Sequence, residues 1–391
     1  MNLKEEYDII VVGAGPAGTI AARYAAEEGA SVLILEKDRD VGYPVRCAEA
    51  INREGLEAFI KPDPKWINAE ITKFGFVAPN GKKVIVDLGK VEGYVLERKI
   101  FDYELAKTAS DAGAEILTRA YVNELIIENG KVCGVKYEFR GQQKELRAKI
   151  VIGADGVESR VGRWAGLKTS IDVRDMESCF QVTAANVECD QNTLFFYFGK
   201  EVAPEGYFWV FPKGKGAANI GLGVSGDIGK KRSALSYLNS NLEKFFPNAN
   251  ILTQVAGGVP SVITLEKITA PGIMLVGDAA RQVNPLSGGG ISSGMVGGSI
   301  AGKLAVQSIK NNDLNYIKKY PKEWQKARGK KHKILDKLKD GLYSFTDEQF
   351  NKLIDSLEKL PAEKRSVGRF FMIALANKPS LLKDIAKVFV I

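Results

Sequence analysis

At 391 residues, 45% of them hydrophobic, the chain exceeds one ordinary core and has a soluble composition; no apolar run approaches the roughly 18 residues of a membrane span, so two or more domains are expected. The four cysteines, Cys47, Cys133, Cys179 and Cys189, are scattered without a C-x-x-C pair, which argues against a disulfide framework or a metal site and fits a reducing compartment. The net charge of +8 is local, because residues 318–339 hold ten Lys/Arg against two Asp/Glu while the remainder has 45 of each sign, and no nucleic-acid partner is expected.

The acidic start MNLKEEYD runs directly into a strand pattern, leaving no room for a secretory leader, so the expected location is cytoplasmic. Residues 7–18, YDIIVVGAGPAG, read as a strand, a glycine turn and a helix start. Gly13, Gly15 and Gly18 hold the G-x-G-x-x-G spacing, which serves the tight turn, the approach of a pyrophosphate and the helix contact in that order. Small Ala14, Ala17 and Thr19 keep the helix N-terminus open as an anion site. A second strand over 31–35 ends at Glu36, about 20 residues beyond the turn, where an acid meets adenosine ribose hydroxyls. A dinucleotide is expected here.

Strand signals at 74–77 and 83–88 flank Asn80-Gly81 and predict a hairpin in a second sheet. Residues 96–112 predict a helix, and 115–118, 121–127, 132–139 and 144–150 predict a β-meander attached to the dinucleotide domain. A strand entering a glycine turn and a basic helix start follows over 151–163. Four strands between 178 and 225 predict an antiparallel sheet. A helix over 231–246 precedes a core strand at 272–276 that ends in Gly277-Asp278, so the cofactor domain is interrupted and resumed. Beyond 310 the pattern is helical and charged. The expected division is 1–72, 95–175 and 255–310 for the cofactor domain, 73–94 and 176–254 for the substrate sheet, and 311–391 for a helical extension. The fold class is α/β, α+β overall, with a Rossmann-type domain interrupted by an antiparallel sheet.

Three glycine-acid corners stand on this chain: the first turn with Glu36, Asp155-Gly156, and Gly277-Asp278. A carboxylate at the late corner suits a polyhydroxyl chain, which favours FAD over NAD because only FAD carries a ribityl segment; a helix N-cap is the plain alternative for Asp278. Residues 287–291, SGGGI, open a small-residue helix whose bare N–H groups suit negative charge on a reduced isoalloxazine.

GAGPAG, Glu36, PVRCAEA at 44–50, Arg98, ADG at 154–156 and GDAARQVNPLSGGGI resemble the geranylgeranyl reductase family, flavoproteins of the para-hydroxybenzoate-hydroxylase-like fold. The most specific element is Tyr207-x-Trp209-x-Phe211-Pro212 followed after eight residues by Gly221-x-Gly223. The nearest likeness is to the archaeal branch acting on digeranylgeranylglycerophospholipids of membrane lipid biosynthesis. Ala50 departs from the glycine common in related sequences. The resemblance implies FAD contacts at Ala17, Glu36, Cys47, Ala48, Ala50, Arg98, Val122, Asp278, Gly290 and Ile291. An exposed Arg at a helix start is the plain reading of Arg98.

The implied reaction places a flavin N5 hydride on one carbon of an isolated geranylgeranyl double bond and a proton on the other, which requires a dry, apolar channel. Tyr207, Trp209 and Phe211 alternate on one sheet face, as channel lining or as core. Cys47, in the loop after Glu36, is the candidate catalytic residue, an inert buried thiol being its alternative. The single histidine, His332, sits in the basic run GKKHK and is assigned no acid–base role. No second dinucleotide turn is present, so the reductant is expected to be NAD(P)H in transient contact or a ferredoxin-like donor. The basic run suits an acidic donor protein, the inner face of the cell membrane through peripheral contact, or a solvated helix face. Apolar residues within 368–391, Phe370, Phe371, Leu381, Leu382, Val388 and Phe389, suit either closure over a lipid chain or packing on the core. A flavin-dependent aromatic hydroxylase or monooxygenase, and a non-catalytic isoprenoid or FAD carrier, are the alternative functions.

Overall fold

The computed structural model describes residues 3–377. Its central sheet runs Thr269–Ala270, Ile273–Leu275, Gln142–Gly153, Glu6–Val12, Val32–Leu35 and Glu115–Leu117, parallel throughout except for the first pair. The Gln142–Gly153 strand belongs to two arrangements. Its first half pairs antiparallel with Lys131–Phe139 and is exposed over 142–145; from Arg147 it runs parallel to Glu6–Val12, alternating exposed with buried residues until 150–153, which are continuously buried. A strand covered on both faces needs that unbroken apolar run. The expected four-strand meander is therefore corrected. Only Ala120–Glu128, Lys131–Phe139 and Gln142–Gly153 form it, while Glu115–Leu117 returns from the Arg98–Asp111 helix to pair parallel with Val32–Leu35, as a crossover connection requires.

The second sheet orders Asn250–Pro260, Met176–Ala185, Ala217–Ser225, Tyr207–Pro212, Thr193–Tyr197, Lys73–Val77 and Lys83–Asp87. The hairpin at Asn80-Gly81 forms and joins this sheet through the parallel pair Thr193–Tyr197 and Lys73–Val77. Asn250–Pro260 is an edge strand pairing with Met176–Ala185, and the expected boundary at 255 falls inside it. Its largely exposed residues and the Gly257-Gly258 pair hide the alternation that marks a strand. A third, unanticipated sheet of Ala50–Asn52, Gly93–Leu96 and Ile67–Ile71 crosses the expected boundary between 94 and 95.

The Ile291–Lys310 helix lies directly on Pro16–Glu27. A Cβ on Gly298 or Gly302 would stand 2.1 Å from Ala17 O or 2.3 Å from Ala21 O, so the small-residue spacing of the later helix permits the approach. The C-terminal helices Asp347–Glu358 and Val367–Ala376 pack on the hairpin: Phe370 stacks on Phe76 at 4.4 Å and Phe350 on Phe198 at 5.0 Å between ring centroids. Phe370 thus packs on the core, as does Phe371 at its edge; Leu381, Leu382, Val388 and Phe389 lie outside the described residues. Among the described residues no helix is long and apolar enough to cross a membrane.

Candidate active site

The three glycines of the first turn have three different surroundings. Gly13 adopts φ +106°, and a Cβ there would stand 2.4 Å from Ala154 O. On Gly18 it would stand 2.1 Å from Gly13 O, so this position sets the return of the helix onto the turn. On Gly15 it would meet nothing within 4 Å, and this residue faces a cleft of about 1000 Å³. The Pro16–Glu27 and Ile291–Lys310 helices both begin without a side-chain cap or an acidic first turn, and Ala17, Gly290, Ile291 and Gly294 line the same cleft. Two unclaimed positive helix ends therefore open on one space.

Glu36 accepts from Ala14 N through Oε2 at 2.7 Å and from Asp38 N through Oε1 at 2.9 Å. Burial raises its pKa against these bonds. Val122 is a core residue two positions beyond Ala120, whose N–H donates to Glu36 O at 2.8 Å. Glu36, Val122, Gly13 and Gly18 do not border the cleft; Cys47, Ala48, Ala50, Arg98 and Asp278 do. The Gly277–Ala280 turn has Val276 at its N-cap and no side-chain cap, so Asp278 is not a capping residue; burial raises its pKa and Arg98 opposes this. Arg98 is not an exposed helix-start side chain: only 15% exposed, it pairs with Asp102 at 2.6 Å and 2.7 Å. These residues fit FAD. Open Gly15 and two bare helix starts suit the pyrophosphate, uncommitted Asp278 the ribityl hydroxyls, and Glu36 the adenosine ribose.

From this pole the cleft continues onto one face of the second sheet. Tyr207, Trp209 and Phe211 all line it, together with Glu177, Cys179 and Gln181 of the neighbouring Met176–Ala185 strand. Tyr207 lies opposite Gly223 and Trp209 opposite Gly221. A Cβ on Gly221 would stand 2.5 Å from Trp209 Cζ2, and one on Gly223 3.1 Å from Cys179 Sγ. The two halves of the aromatic-glycine signature are thus cross-strand pairs in which each glycine vacates space for the wall.

The geranylgeranyl reductase catalytic-domain family matches residues 175–259, the span from Met176 to the end of the edge strand, and the pyridine nucleotide-disulphide oxidoreductase family matches 7–196. Digeranylgeranylglycerophospholipid reductase 2 of Methanococcoides burtonii is 43% identical over 99% of this chain and 97% of its own. The chain belongs to the geranylgeranyl reductase family. The digeranylgeranylglycerophospholipid reductase of Methanosarcina acetivorans is 44% identical over 99% of this chain and 97% of its own. A geranylgeranyl bacteriochlorophyll reductase-like protein of Thermoplasma acidophilum superposes with a TM-score of 0.93 at 37% identity, covering 98% and 99% of the two chains. A flavin-dependent brominase, at 17% identity and a TM-score of 0.74 over 96% of this chain and all of its own, shares the fold. The fold is that of the para-hydroxybenzoate-hydroxylase-like flavoproteins, as the motifs implied.

Several residues of this reductase site were not anticipated. Gln181 donates to Cys47 O at 2.9 Å and accepts from Trp209 Nε1 at 3.0 Å, tying the signature strand to the Cys47 loop. Glu49, buried and at φ 71°, accepts from Arg98 N at 2.8 Å and Asn219 Nδ2 at 2.6 Å and pairs with Lys213 at 2.8 Å. The one sequence signal for the wall was the period-two placement of Glu177, Cys179 and Gln181. Cys47 Sγ accepts from Glu49 N at 3.2 Å; burial pushes the thiol up, with Arg98 opposing. His332 also lines the cleft rather than solvent. Its Nε2 lies 3.4 Å from Ser293 Oγ, and burial, reinforced by Arg328 and Lys331, lowers its pKa to about 4, leaving it neutral at neutral pH. The basic run is thus not one solvated face: Lys339 is buried, Arg328 and Lys331 border the cleft, and Lys326, Lys330, Lys333 and Lys337 are exposed.

Proposed function

We propose that this chain is an FAD-dependent reductase that saturates isolated double bonds in the geranylgeranyl chains of digeranylgeranylglycerophospholipids. The observation that carries this is the continuity of one cleft, from the bare helix starts and Asp278 to an aromatic wall. FAD, when bound, supplies the hydride. Gly15, Ala17, Gly290, Ile291 and Arg98 would hold its phosphates and ring, Asp278 its ribityl chain, and Glu36 beside Val122 its adenosine end. Tyr207, Trp209, Phe211, Phe74 and Phe196 would hold the lipid chain and keep water out, which an alkene without a polarising carbonyl requires.

Incubating chemically reduced enzyme with the unsaturated phospholipid without oxygen is expected to add two hydrogens per reacted double bond by mass spectrometry. Unchanged lipid mass overturns the reading. Oxygen-dependent product hydroxylation would indicate a hydroxylase, and lipid binding without flavin reoxidation a carrier. Reducing equivalents come from NAD(P)H or a ferredoxin-like donor, which chemical reduction bypasses.

Cys47 is the proposed catalytic residue at the flavin end. Cys47→Ala is expected to bind FAD at full stoichiometry and to reduce lipid roughly 10²-fold more slowly through lost positioning at the reacting end; wild-type turnover removes the thiol from the mechanism. The exposed lysines Lys326, Lys330, Lys333 and Lys337 lie on the helices that border the cleft and suit an anionic lipid surface at the inner face of the membrane. Changing all four to Glu is expected to lower partition onto anionic vesicles roughly 10²-fold or more, at about 1 kcal/mol for each lysine near the surface. Partition unchanged by the reversal rules out that contact.

A further inference from the structure

The wall facing the lipid channel contains a carboxyl that the reading above does not use. Glu177 is 7% exposed, and Tyr343, from the C-terminal Lys330–Tyr343 helix, donates its hydroxyl hydrogen bond to Glu177 Oε1. Both residues line the cleft. Glu177 Oε2 is buried with no hydrogen-bond partner among the described residues. A buried carboxylate left this way is costly, whereas the carboxylic acid is not. The helical extension thus brings a phenol against a buried acid at the wall of the channel.

We infer that Glu177 and Tyr343 form the proton supply for alkene reduction: once Glu177 is protonated the contact reverses, the carboxyl O–H donating to the phenol oxygen, so that Tyr343 passes its hydroxyl proton to the substrate carbon while Glu177 passes its own to the phenol oxygen. The inference rests on the proposed reductase activity. One alkene carbon takes the hydride supplied by reduced FAD, and the other takes the Tyr343 proton. The π bond breaks, two C–H bonds form, the flavin is oxidised by two electrons, and Glu177 is left as carboxylate to be recharged from solvent. Because the phenol gains a proton as it loses one, no tyrosinate forms, consistent with burial and Glu177 raising the Tyr343 pKa far above its usual range. Cys47 has no such support. Its sulfur accepts from Glu49 N–H and faces Arg98, neither of which recharges a thiolate; its role is contact at the reacting end.

The surroundings hold Glu177 near the working range. Burial pushes its pKa up to about 7; Tyr343 and Lys339 of the same helix pull it down, and Glu205 and Asp175, on the segments flanking the sheet, push it up. Cys179 and Tyr207 beside it are themselves raised by burial and stay neutral. Activity that needs the acid form falls as pH rises through about 7.

The test uses FAD-loaded full-length enzyme. Glu177→Gln and Tyr343→Phe are each expected to bind FAD with wild-type affinity and absorbance and to reduce lipid at least tenfold more slowly. Glu177→Gln should also lose the decline of kcat through about pH 7. Infrared spectroscopy should show one protonated carboxyl titrating near pH 7 in the wild type, absent in Glu177→Gln and shifted to higher pH in Tyr343→Phe, where the hydrogen bond that favours carboxylate is gone. Wild-type rates in either variant, or no carboxyl titrating near neutrality, overturn the inference. If Glu177→Gln does not fold, Tyr343→Phe alone decides by its rate and its infrared shift. A wild-type control that fails to saturate lipid overturns the parent reading instead, and the infrared titration still reports on the pair.

Discussion

Gly15→Val is expected to fold and to lose FAD, whereas Gly18→Val is expected to fail as a fold. The two glycines belong to one motif and differ in what surrounds them. A Cβ added at Gly15 would meet no atom within 4 Å, and its backbone, at φ −68° and ψ 173°, suits a β-branched residue, so stability should change by less than about 1 kcal/mol. The added side chain would occupy the space a pyrophosphate needs and separate it from the helix N–H groups, costing roughly 10²-fold in affinity for the loss of one or two charge-assisted hydrogen bonds. At Gly18 the Cβ meets Gly13 O at 2.1 Å and Ala154 Cβ at 2.9 Å, backbone and core that do not yield, and about 3 kcal/mol or more is expected. Urea denaturation of the apoprotein and flavin fluorescence titration separate the outcomes. Equal loss of stability in both variants would show that the turn has no face reserved for a ligand.

Lys213→Met is expected to destabilise the protein by about 3–5 kcal/mol, the range for removing one partner of a buried ion pair. Lys213 and Glu49 side chains are 7% and 5% exposed, 2.8 Å apart, and Lys213 also reaches Leu96 O and Glu97 at 2.8 Å and 2.9 Å. The variant leaves Glu49 between Asn219 and Arg98 N–H without its direct ion-pair partner. Since Glu49 anchors the loop carrying Cys47 and Ala48, flavin affinity should fall along with stability. Adding Glu49→Gln removes the stranded charge and should recover much of the loss, a coupling measurable by denaturant unfolding of the single and double variants. Additive losses would mean the two residues do not act as a pair.

Much of the cofactor pole was legible in the chain because its requirements are local. Gly13, Gly15 and Gly18 answer to a turn, an open cleft and a neighbouring backbone within one short stretch, and Gly277-Asp278 repeats the logic at the end of another core strand. The aromatic wall was legible for a related reason, since period two places Tyr207, Trp209 and Phe211 on one sheet face whatever the partner strand is. The edge strand Asn250–Pro260 was not, because its exposed residues and paired glycines erase that period.

His332 and Tyr343 show the limit most clearly. In the chain both stand in or just beyond a basic helical run with the composition of a solvated face, and only packing of that helix over the second sheet turns His332 toward Ser293 and Tyr343 toward Glu177. Residues brought together over 166 positions leave no mark in local spacing. The sequence alone determined the glycine turn, the class of cofactor and the face of the aromatic strand, because backbone geometry and side-chain period are properties of neighbours along the chain. The tertiary structure decided which acids, amides and cations close the cleft, because burial and pairing of charge depend on what arrives from elsewhere in the chain.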